Sequence, residues 1–270
     1  MPKNPHIKKL RRFFTSQPLQ STSPDLWLEV SETHHLRDSI RLKIGDTCLV
    51  TDGEGREAEA IIREFSHDGR TLIRVNGEIE IQKTDLVRDK IFLRIMPALL
   101  RQGKTDLLVE KAQELGVGEI WPIFSEHCEV KIAKEKAGKI VERWNRIARE
   151  ASKQSGSLNL LRISEPVSFK NVIEEIPLDE GLVVFHPCDE AIPFSAWMTE
   201  LAAKKEKIKV LNVLIGPEGG FSDDEIAWVR WKRNEKQYRL VSLGDVLLRA
   251  DTAFIGVVAA LRFSGILSRG

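Results

Sequence analysis

The sharpest local feature of the sequence is the stretch Leu214-Ile215-Gly216-Pro217-Glu218-Gly219-Gly220-Phe221-Ser222. An apolar run leads into a glycine-rich loop, and Ser222 with Glu225 fits the S-x-x-E capping box that begins a helix. The stretch therefore predicts a buried strand, a loop and a helix, with Gly219 expected to adopt a positive φ. In open α/β sheets, loops at the carboxyl ends of the strands bind ligands. A tight turn without a ligand would give the same pattern.

A second loop of this kind lies one strand–helix unit further on, in Leu243-Gly244-Asp245-Val246-Leu247-Leu248-Arg249-Ala250-Asp251-Thr252-Ala253. The two loops are expected to enclose one small molecule, with Leu247 and Leu248 as apolar walls and backbone groups reading its polar edge. Arg249 is a cation in an otherwise apolar stretch. It is predicted either to form an ion pair at the surface, with Asp251 or Glu218, or to face substrate phosphate or developing negative charge.

The rest of the chain follows two patterns. Residues 25–80 predict short strands separated by turns such as Asp52-Gly53-Glu54-Gly55, with a short helix at 32–42. From about residue 88 strands alternate with helices, which is typical of a parallel sheet covered by helices. We therefore predict an α/β protein with a β-rich unit at 1–78 and an α/β domain at 79–270. The predicted strands are 91–96, 119–124, 182–185, 210–215 and 238–243, and the predicted helices are 106–115, 134–153, 194–204, 223–233 and 251–262, the last capped by Asp251 or Thr252.

The composition is that of an ordinary globular protein, with 270 residues of which 30% are charged and 42% hydrophobic. The net charge is +1, so any nucleic-acid binding must come from local patches. Cys48, Cys128 and Cys188 have no metal-ligand spacing, and residues 1–24 contain no signal-peptide core. A reduced, cytoplasmic protein without metal is therefore expected. The longest apolar run, 253–261, is too short to span a bilayer.

Two basic patches are candidates for phosphate contacts. The segment before Asp25 contains no acidic residue, and its cations include Lys8, Lys9, Arg11 and Arg12. This segment is either a solubilising tail or a docked arm, and the adjacent Phe13-Phe14 favours docking. The second patch is a sector of the predicted helix 134–153, away from its apolar stripe, and the alternative is an ordinary solvated face. Its residues are Lys139, Arg143, Arg146 and Arg149.

The two loops resemble the methyl-donor-binding signature of the SPOUT methyltransferases. In detail the whole chain resembles the RsmE family, which methylates N3 of a uridine in small-subunit ribosomal RNA. The other matching motifs occur in the family's order: Arg12-Phe13-Phe14, His34-His35 to Arg41, Gly45-Asp46, Lys111-Ala112-Gln113-Glu114-Leu115-Gly116-Val117, Ser125-Glu126, and Arg143 through Glu150-Ala151 to Gln154-Ser155-Gly156. The family usually has Arg where this chain has His127, Ser157 and Val246, and Pro where it has Leu161. These departures bear on the RNA target rather than on the donor loop.

The resemblance implies a PUA-like β-barrel at 1–78 and a SPOUT-type α/β domain at 79–270 whose C-terminal part forms a trefoil knot. It implies a homodimer with the donor pocket at the subunit contact. The last helix, apolar over more than one face, suits either a core helix or one that also packs a partner. S-adenosylmethionine would be held by Leu214, Ile215, Gly216, Pro217, Glu218, Gly219, Leu243, Gly244, Leu247, Leu248, Arg249, Thr252 and His186. Ribosomal RNA of the small subunit would be held by Lys8, Lys9, Arg11, Arg12, Arg41, Arg143 and Arg146.

The implied chemistry assigns roles to three residues. A sulfonium methyl is intrinsically reactive, so the protein must mainly align it with the uridine nitrogen. N3 loses a proton while negative charge spreads to O2 and O4, and a cation near those oxygens would stabilise that charge. Arg249 is assigned this role, or a contact with the adjacent phosphate, and Glu218 or Asp251 accepts the proton. The uridine must be unpaired or splayed out to reach the pocket.

Other classes of function stay open. A non-catalytic RNA-binding assembly protein would need the barrel and the basic patches but no intact donor loops, so the Gly-Pro-Glu-Gly-Gly sequence argues against it. An enzyme that binds a nucleotide phosphate at Gly219-Gly220 is disfavoured because no Lys follows these glycines, and the loop is not a G-x-G-x-x-G motif. A SPOUT methyltransferase acting on a different RNA nucleotide is the remaining alternative.

Overall fold

The computed structural model describes residues 10–20, 24–81, 91–101, 103–204, 208–233 and 238–267. The chain divides into two compact units, one of Met1–Lys83 with Gly156–Asn159 and one of Thr84–Ser155 with Leu160–Gly270. The prediction of a single boundary after residue 78 assigned the short segment Gly156–Asn159 to the second domain, whereas it belongs to the first unit. That segment is held by a long-range bond, in which Gly55 N donates to Leu158 O at 3.1 Å. A sequence pattern carries no signal for such a pairing.

The described part of the first unit contains a six-stranded sheet in the order β1-β3-β4-β5-β2, with β6 on β4. The β1 and β3 strands are parallel and the other neighbours antiparallel. The strands are β1 (Arg12–Phe14), β2 (Asp25–Leu28), β3 (Thr47–Thr51), β4 (Arg56–Phe65), β5 (Thr71–Val75) and β6 (Glu80–Ile81). The β-rich prediction for 25–80 is confirmed. Closure of this sheet into a barrel stays a prediction.

One face of this sheet is apolar. Alternate residues on β4, including Ala60 and Ile62, are fully buried and share a core with Phe13 and Ile73, as the two-residue period of a strand requires. The predicted hairpin at 52–55 joins β3 to β4. The helix predicted at 32–42 is α1 (Val30–His34) continued by a π-helical turn at His35–Ser39.

The second unit is built on a seven-stranded parallel sheet in the order β10-β8-β7-β14-β12-β15-β13. The predicted parallel α/β arrangement is confirmed. A separate parallel pair joins β11 to β9. The strands are β7 (Phe92–Pro97), β8 (Glu119–Ile120), β9 (Ile123–Phe124), β10 (Arg162–Ile163), β11 (Val167–Ser168), β12 (Gly181–Phe185), β13 (Ile192–Pro193), β14 (Val210–Ile215) and β15 (Tyr238–Ser242).

Helices cover both faces of this sheet. On one face α2, α3, α5 and α7 bury side chains against alternate strand residues such as Val183 and Val213. On the other face α4 and α6 pack on the intervening residues, such as Val184 and Leu214. Strands buried on both faces read as continuous apolar runs, which is why they could be predicted. The helices are α2 (Lys104–Glu114), α3 (Lys134–Ser155), α4 (Phe169–Glu175), α5 (Phe194–Lys204), α6 (Asp223–Lys232) and α7 (Ala250–Phe263).

Two predictions about these elements need correction, and one helix was missed. The single strand predicted at 119–124 is two strands, β8 and β9, because Pro122 between them has no N–H to continue the ladder. The helix α4 was not predicted. The predicted capping of α7 by Asp251 or Thr252 is wrong, because the N-cap is Arg249, which makes no side-chain capping bond. Asp251 lies instead in the first turn, where a carboxylate favours the helix dipole.

Candidate donor pocket and its charged rim

Three loops meet at the carboxyl edge of the parallel sheet, where β12, β14 and β15 end. The strand ends are in register, since Phe185 pairs with both Ile215 and Val241. We call residues 216–222 the glycine loop and residues 243–249 the leucine loop, and the third loop begins at His186. Together they enclose a cavity of about 380 Å³. Small-molecule sites have volumes of roughly 300–1,000 Å³, so the cavity suits a ligand of this class.

Most of the predicted donor-binding residues line this cavity. Leu214 does not, because its side chain is fully buried on the opposite side of its strand, against α4 and α6. Arg249 and Thr252 belong to the start of α7, outside the cavity lining. The lining includes His186, Ile215, Gly216, Pro217, Glu218, Gly219, Leu243, Gly244, Leu247 and Leu248.

The glycine loop is a tight turn, closed by a bond from Gly220 N to Pro217 O at 2.9 Å. Gly220 has a φ of 71°, in the left-handed region that glycine adopts most readily. A Cβ on Gly216 would lie 3.3 Å from the backbone carbon of Gly220, so the turn also requires a glycine there. The positive φ predicted for Gly219 is therefore wrong. The bond from Gly220 N to Pro217 O closes the turn at Gly220, so the residue with positive φ is Gly220, one position after Gly219.

The constraint on Gly219 comes from His127. A Cβ on Gly219 would lie 3.0 Å from the Cβ of His127. The His127 ring packs here because its Nδ1 lies 3.1 Å from Gly219 O and 3.2 Å from Gly220 O. Both partners are carbonyl oxygens, so Nδ1 must carry the proton and donate. His127 thus holds the outer side of the glycine loop, where the RsmE family usually has Arg.

A buried carboxylate joins the segment that carries His127 to the glycine loop. Glu225 forms the predicted capping box with Ser222 at the start of α6. It also accepts a hydrogen bond from Ser125 Oγ at 3.1 Å and one from Glu126 N at 3.0 Å. Sequence reasoning found the cap but missed this second role, because the partners lie about a hundred positions away in the chain.

The leucine loop presents apolar side chains to the surface at the cavity. Gly244 has a φ of 108°, and its N–H donates to Ser242 Oγ at 3.2 Å. Leu247 and Val246 are 85% and 74% exposed, although they line the cavity. Apolar groups that stay exposed beside a cavity usually mark a surface that another molecule covers.

His186 supplies a polar atom without a partner. Its Nδ1 is buried and has no hydrogen bond within the part of the chain that the structure describes. Burial lowers the pKa of His186 below its usual value, which Asp223 partly opposes, so the ring is neutral at pH 7. Buried polar atoms in proteins are normally satisfied, so this one is a candidate hydrogen-bonding group for a ligand in the cavity.

The cavity has a charged rim, which the sequence did not reveal. Lys104, the first residue of α2, donates from Nζ to Glu218 Oε1, and its Nζ lies 4.0 Å from Asp251 Oδ2. The bond from Lys104 is the main reason that the pKa of Glu218 is lowered, with burial and the charge of Asp251 opposing it. Arg249 is exposed and, among the described residues, no side-chain partner is found for it. The predicted alternative, an ion pair of Arg249 with Asp251 or Glu218, is therefore wrong.

Comparison with known sequences now decides the family. Residues 88–262 match the RNA methyltransferase domain family, and residues 28–68 match the RNA methyltransferase PUA domain. The chain belongs to this RNA methyltransferase family. A relative over nearly the full length is the ribosomal RNA small subunit methyltransferase E of Bacillus subtilis (strain 168), 25% identical over 97% of this chain and 99% of that protein. The protein of the same name from Rickettsia conorii is 24% identical over 95% of this chain and 97% of its own.

Solved structures show the same fold as this RNA methyltransferase. A Legionella pneumophila protein with the bound cofactor SAM has a TM-score of 0.77, with 24% identity over 95% of this chain and 98% of its own. The ribosomal RNA small subunit methyltransferase E of Neisseria gonorrhoeae, bound to S-adenosyl methionine, has a TM-score of 0.76, with 21% identity over 94% and 98% of the two chains.

The structure separates the residues predicted to hold RNA into two groups. Arg12 is half-buried and bonded to Glu57, and Arg143 is bonded to Asp106, so both are already paired. The others are exposed where described: Arg11, Arg41 and Arg146. Lys8 and Lys9 lie outside the described residues. For all of these residues, contact with RNA stays a prediction for this RNA methyltransferase.

Membrane-spanning helices and metal centres would each leave a recognisable signature. Within the described residues, no helix has the length and apolar character that a membrane crossing requires. A group of three or more His, Cys, Asp or Glu side chains that suits a metal ion is likewise absent from that part of the chain.

Proposed function

We propose that this RNA methyltransferase transfers a methyl group from S-adenosylmethionine to N3 of a uridine in 16S ribosomal RNA. The proposal rests on the cavity that two glycine-containing loops and His186 enclose at the carboxyl edge of the sheet. It is supported by the names of relatives matched over nearly the whole chain, which are small-subunit ribosomal RNA methyltransferases.

The cavity fits the donor in three respects. Gly216 and Gly220 line the cavity without side chains, so a flat base could approach the backbone amide groups there. Leu247 and Leu248 give apolar walls for its adenine, and the buried Nδ1 of the neutral His186 offers a hydrogen bond. The donor would supply an electrophilic methyl group on a sulfonium sulfur.

The residues of the rim would handle the proton of N3. Glu218 is paired with a cation and is therefore ionised at neutral pH, so it can accept a proton at once. Asp251 lies in the first turn of α7, with Oδ1 accepting from Thr252 N at 3.0 Å, and is the second candidate. Arg249 is exposed beside them and would contact the uridine's phosphate or its developing charge.

The proposal includes the finer features of the fold and assembly. We infer a trefoil knot in the C-terminal part from the resemblance to the SPOUT methyltransferases. The pairing of Leu267 with Ile91, which precedes β7, agrees with it by bringing the chain after β15 back past β12 and β14. We infer a closed barrel in the first unit and a homodimer in which the exposed leucine loop is covered. Because the substrate would be small-subunit RNA, we propose that the protein works in the cytoplasm.

Calorimetry and a product assay test the function. The protein should bind S-adenosylmethionine and its demethylated product but not ATP, and it should form N3-methyluridine when given small subunits that lack the modification. Mass spectrometry of the digested RNA identifies the product. Binding of RNA without any donor would favour a non-catalytic assembly protein, and methylation of another nucleotide would refute the assigned target.

A further inference from the structure

Lys104 is placed at the rim by hydrogen bonds among the described residues between β7 and α2. Thr105 is buried, and its hydroxyl accepts from Leu100 N at 3.0 Å and donates to Leu100 O at 3.1 Å. Lys104 N donates to Arg101 O at 3.0 Å, and Gly103 turns the chain with a φ of 88°. The backbone that carries Lys104 is therefore fixed at the carboxyl edge, beside the strand that leads into the glycine loop.

The position is electrostatically unfavourable for a lysine within its own helix. Lys104 is the first residue of α2, and the start of a helix favours negative charge over positive charge. Its ion pair with Glu218 is partly exposed, with 27% of the lysine and 45% of the glutamate side chain accessible. Pairs of this kind contribute little to stability. Stability therefore does not explain a cation at this point.

The cation has a place in the chemistry of the rim. Its ammonium group lies between the two carboxylates that are candidates for taking the N3 proton. The other charged or titratable groups nearby are Arg101, which pairs with Glu129, His127 on the adjacent glycines, and Arg249 at the start of α7. Lys104 directly bonds a carboxylate that lines the donor cavity.

We propose that Lys104 is a catalytic residue, which contacts a carbonyl oxygen of the target uracil and stabilises the negative charge formed there when Glu218 takes the N3 proton. This inference rests on the proposed function. The N3–H bond breaks and its proton forms an O–H bond with Glu218. The N3 electron pair then bonds to the methyl carbon, and the electrons of the S–CH₃ bond stay on sulfur, which becomes a neutral thioether.

The movement of the negative charge explains how Lys104 can stabilise first the Glu218 carboxylate and then the uracil oxygen. Before the reaction the negative charge is on Glu218, where Lys104 is bonded to it. After proton transfer the charge is on uracil O2 or O4, and the ammonium group need move only from one oxygen to another. Methylation then removes the charge, and the half-exposed Glu218 can release its proton to water. A preorganised donor of this kind acts where charge develops.

The first test is the acidity of the bound base, which does not require methyl transfer. RNA with 5-fluorouridine at the target position is bound to the protein without donor, and the ¹⁹F shift is followed against pH. Lys104→Met should raise the ionisation midpoint of the bound base by about one unit or more, the effect of removing one adjacent opposite charge. Lys104→Arg should keep most of the wild-type value.

The second test is the single-turnover rate per donor-binding molecule. Lys104→Met should lower the plateau rate by about 10²-fold or more, and it should move the acid limb to higher pH because Glu218 loses its cation. The matched control is Lys111→Met on the same helix, where Lys111 pairs with Glu110 and Glu114 at the surface. This control should leave the rate and the ionisation unchanged.

The outcomes distinguish this inference from the proposed function. If the wild type forms no N3-methyluridine, the proposed function fails, and the inference fails with it. If the wild type is active but Lys104→Met keeps the plateau rate within about threefold and the ionisation midpoint of the base, Lys104 only pins the glycine loop and the inference alone is overturned. If Lys104→Met does not fold, Lys104→Gln is measured in the same two tests and against the same criteria.

Discussion

The substitution Gly219→Ala tests whether His127 positions the glycine loop. In Gly219→Ala the new Cβ would lie 3.0 Å from the Cβ of His127, 3.4 Å from its Cγ and 3.5 Å from its Nδ1. The first of these distances is tighter than nine in ten real Cβ contacts, so either the imidazole shifts away from the loop carbonyls or the loop shifts into the cavity by a few tenths of an ångström. Overpacking of this size costs about 1–3 kcal/mol.

The effect on donor binding depends on whether the glycine loop moves into the cavity. Because two loop carbonyls hold the His127 ring, we expect the loop to move into the cavity; the donor must then push it back, and the dissociation constant measured by calorimetry should rise about 5- to 150-fold. The control Gly138→Ala, whose Cβ would meet only Glu165 at 3.9 Å, should leave the affinity unchanged. Gly219→Ala combined with His127→Gly should bind about as well as His127→Gly alone. Wild-type affinity in the single variant, or a loss that persists in the combined one, would refute the reasoning.

Three further predictions concern the charged and titrating groups. Arg249→Ala should lower the single-turnover rate by about 10²-fold without a change in melting temperature, and a normal rate would contradict its assignment. Arg11→Glu should weaken RNA binding and reduce the slope of log affinity against log salt concentration by about one. Arg12→Glu also breaks the pair with Glu57, so it should lower the melting temperature as well. Equal melting temperatures for the two variants would count against this pair. Because the pKa of His186 is lowered in the folded protein, its contribution to stability is lost as pH falls below about 6.5. In His186→Gln the melting temperature should therefore fall less steeply with pH in this range, and parallel plots of melting temperature against pH for the two proteins would contradict the prediction.

The architecture of the second unit could be predicted because its strands are buried on both faces. Continuous apolar runs such as 210–215, each followed by a loop and a helix, are typical of parallel strands that helices cover on both sides. The helix α4 escaped prediction because it has only seven residues, and one side-chain capping bond, from Asn171 N to Ser168 Oγ, marks its start. Short elements of this kind are fixed by packing, here against Phe221 and Ile226, rather than by their own pattern.

The site could be predicted only where one segment contains the whole signal. The glycine loop and the leucine loop each carry their geometry locally. The pair of Lys104 and Glu218 spans 114 positions, and the contact of His127 with Gly219 spans 92. A positive φ at Gly219 was expected because the sequence shows two adjacent glycines and does not show which of them closes the turn.

A general rule would still have selected the missing residues as candidates. In a parallel sheet, side chains that follow a strand within a few positions lie at the carboxyl edge. His186 directly follows β12 and His127 follows β9 by three positions, whereas Lys104 follows β7 by seven, as the first residue of the next helix. The rule cannot rank them, because the strand order is set by three-dimensional packing. Since β7 lies beside β14, Lys104 meets Glu218. With another strand between them, the same lysine would be an isolated cation at the wrong end of a helix, without a role at the pocket.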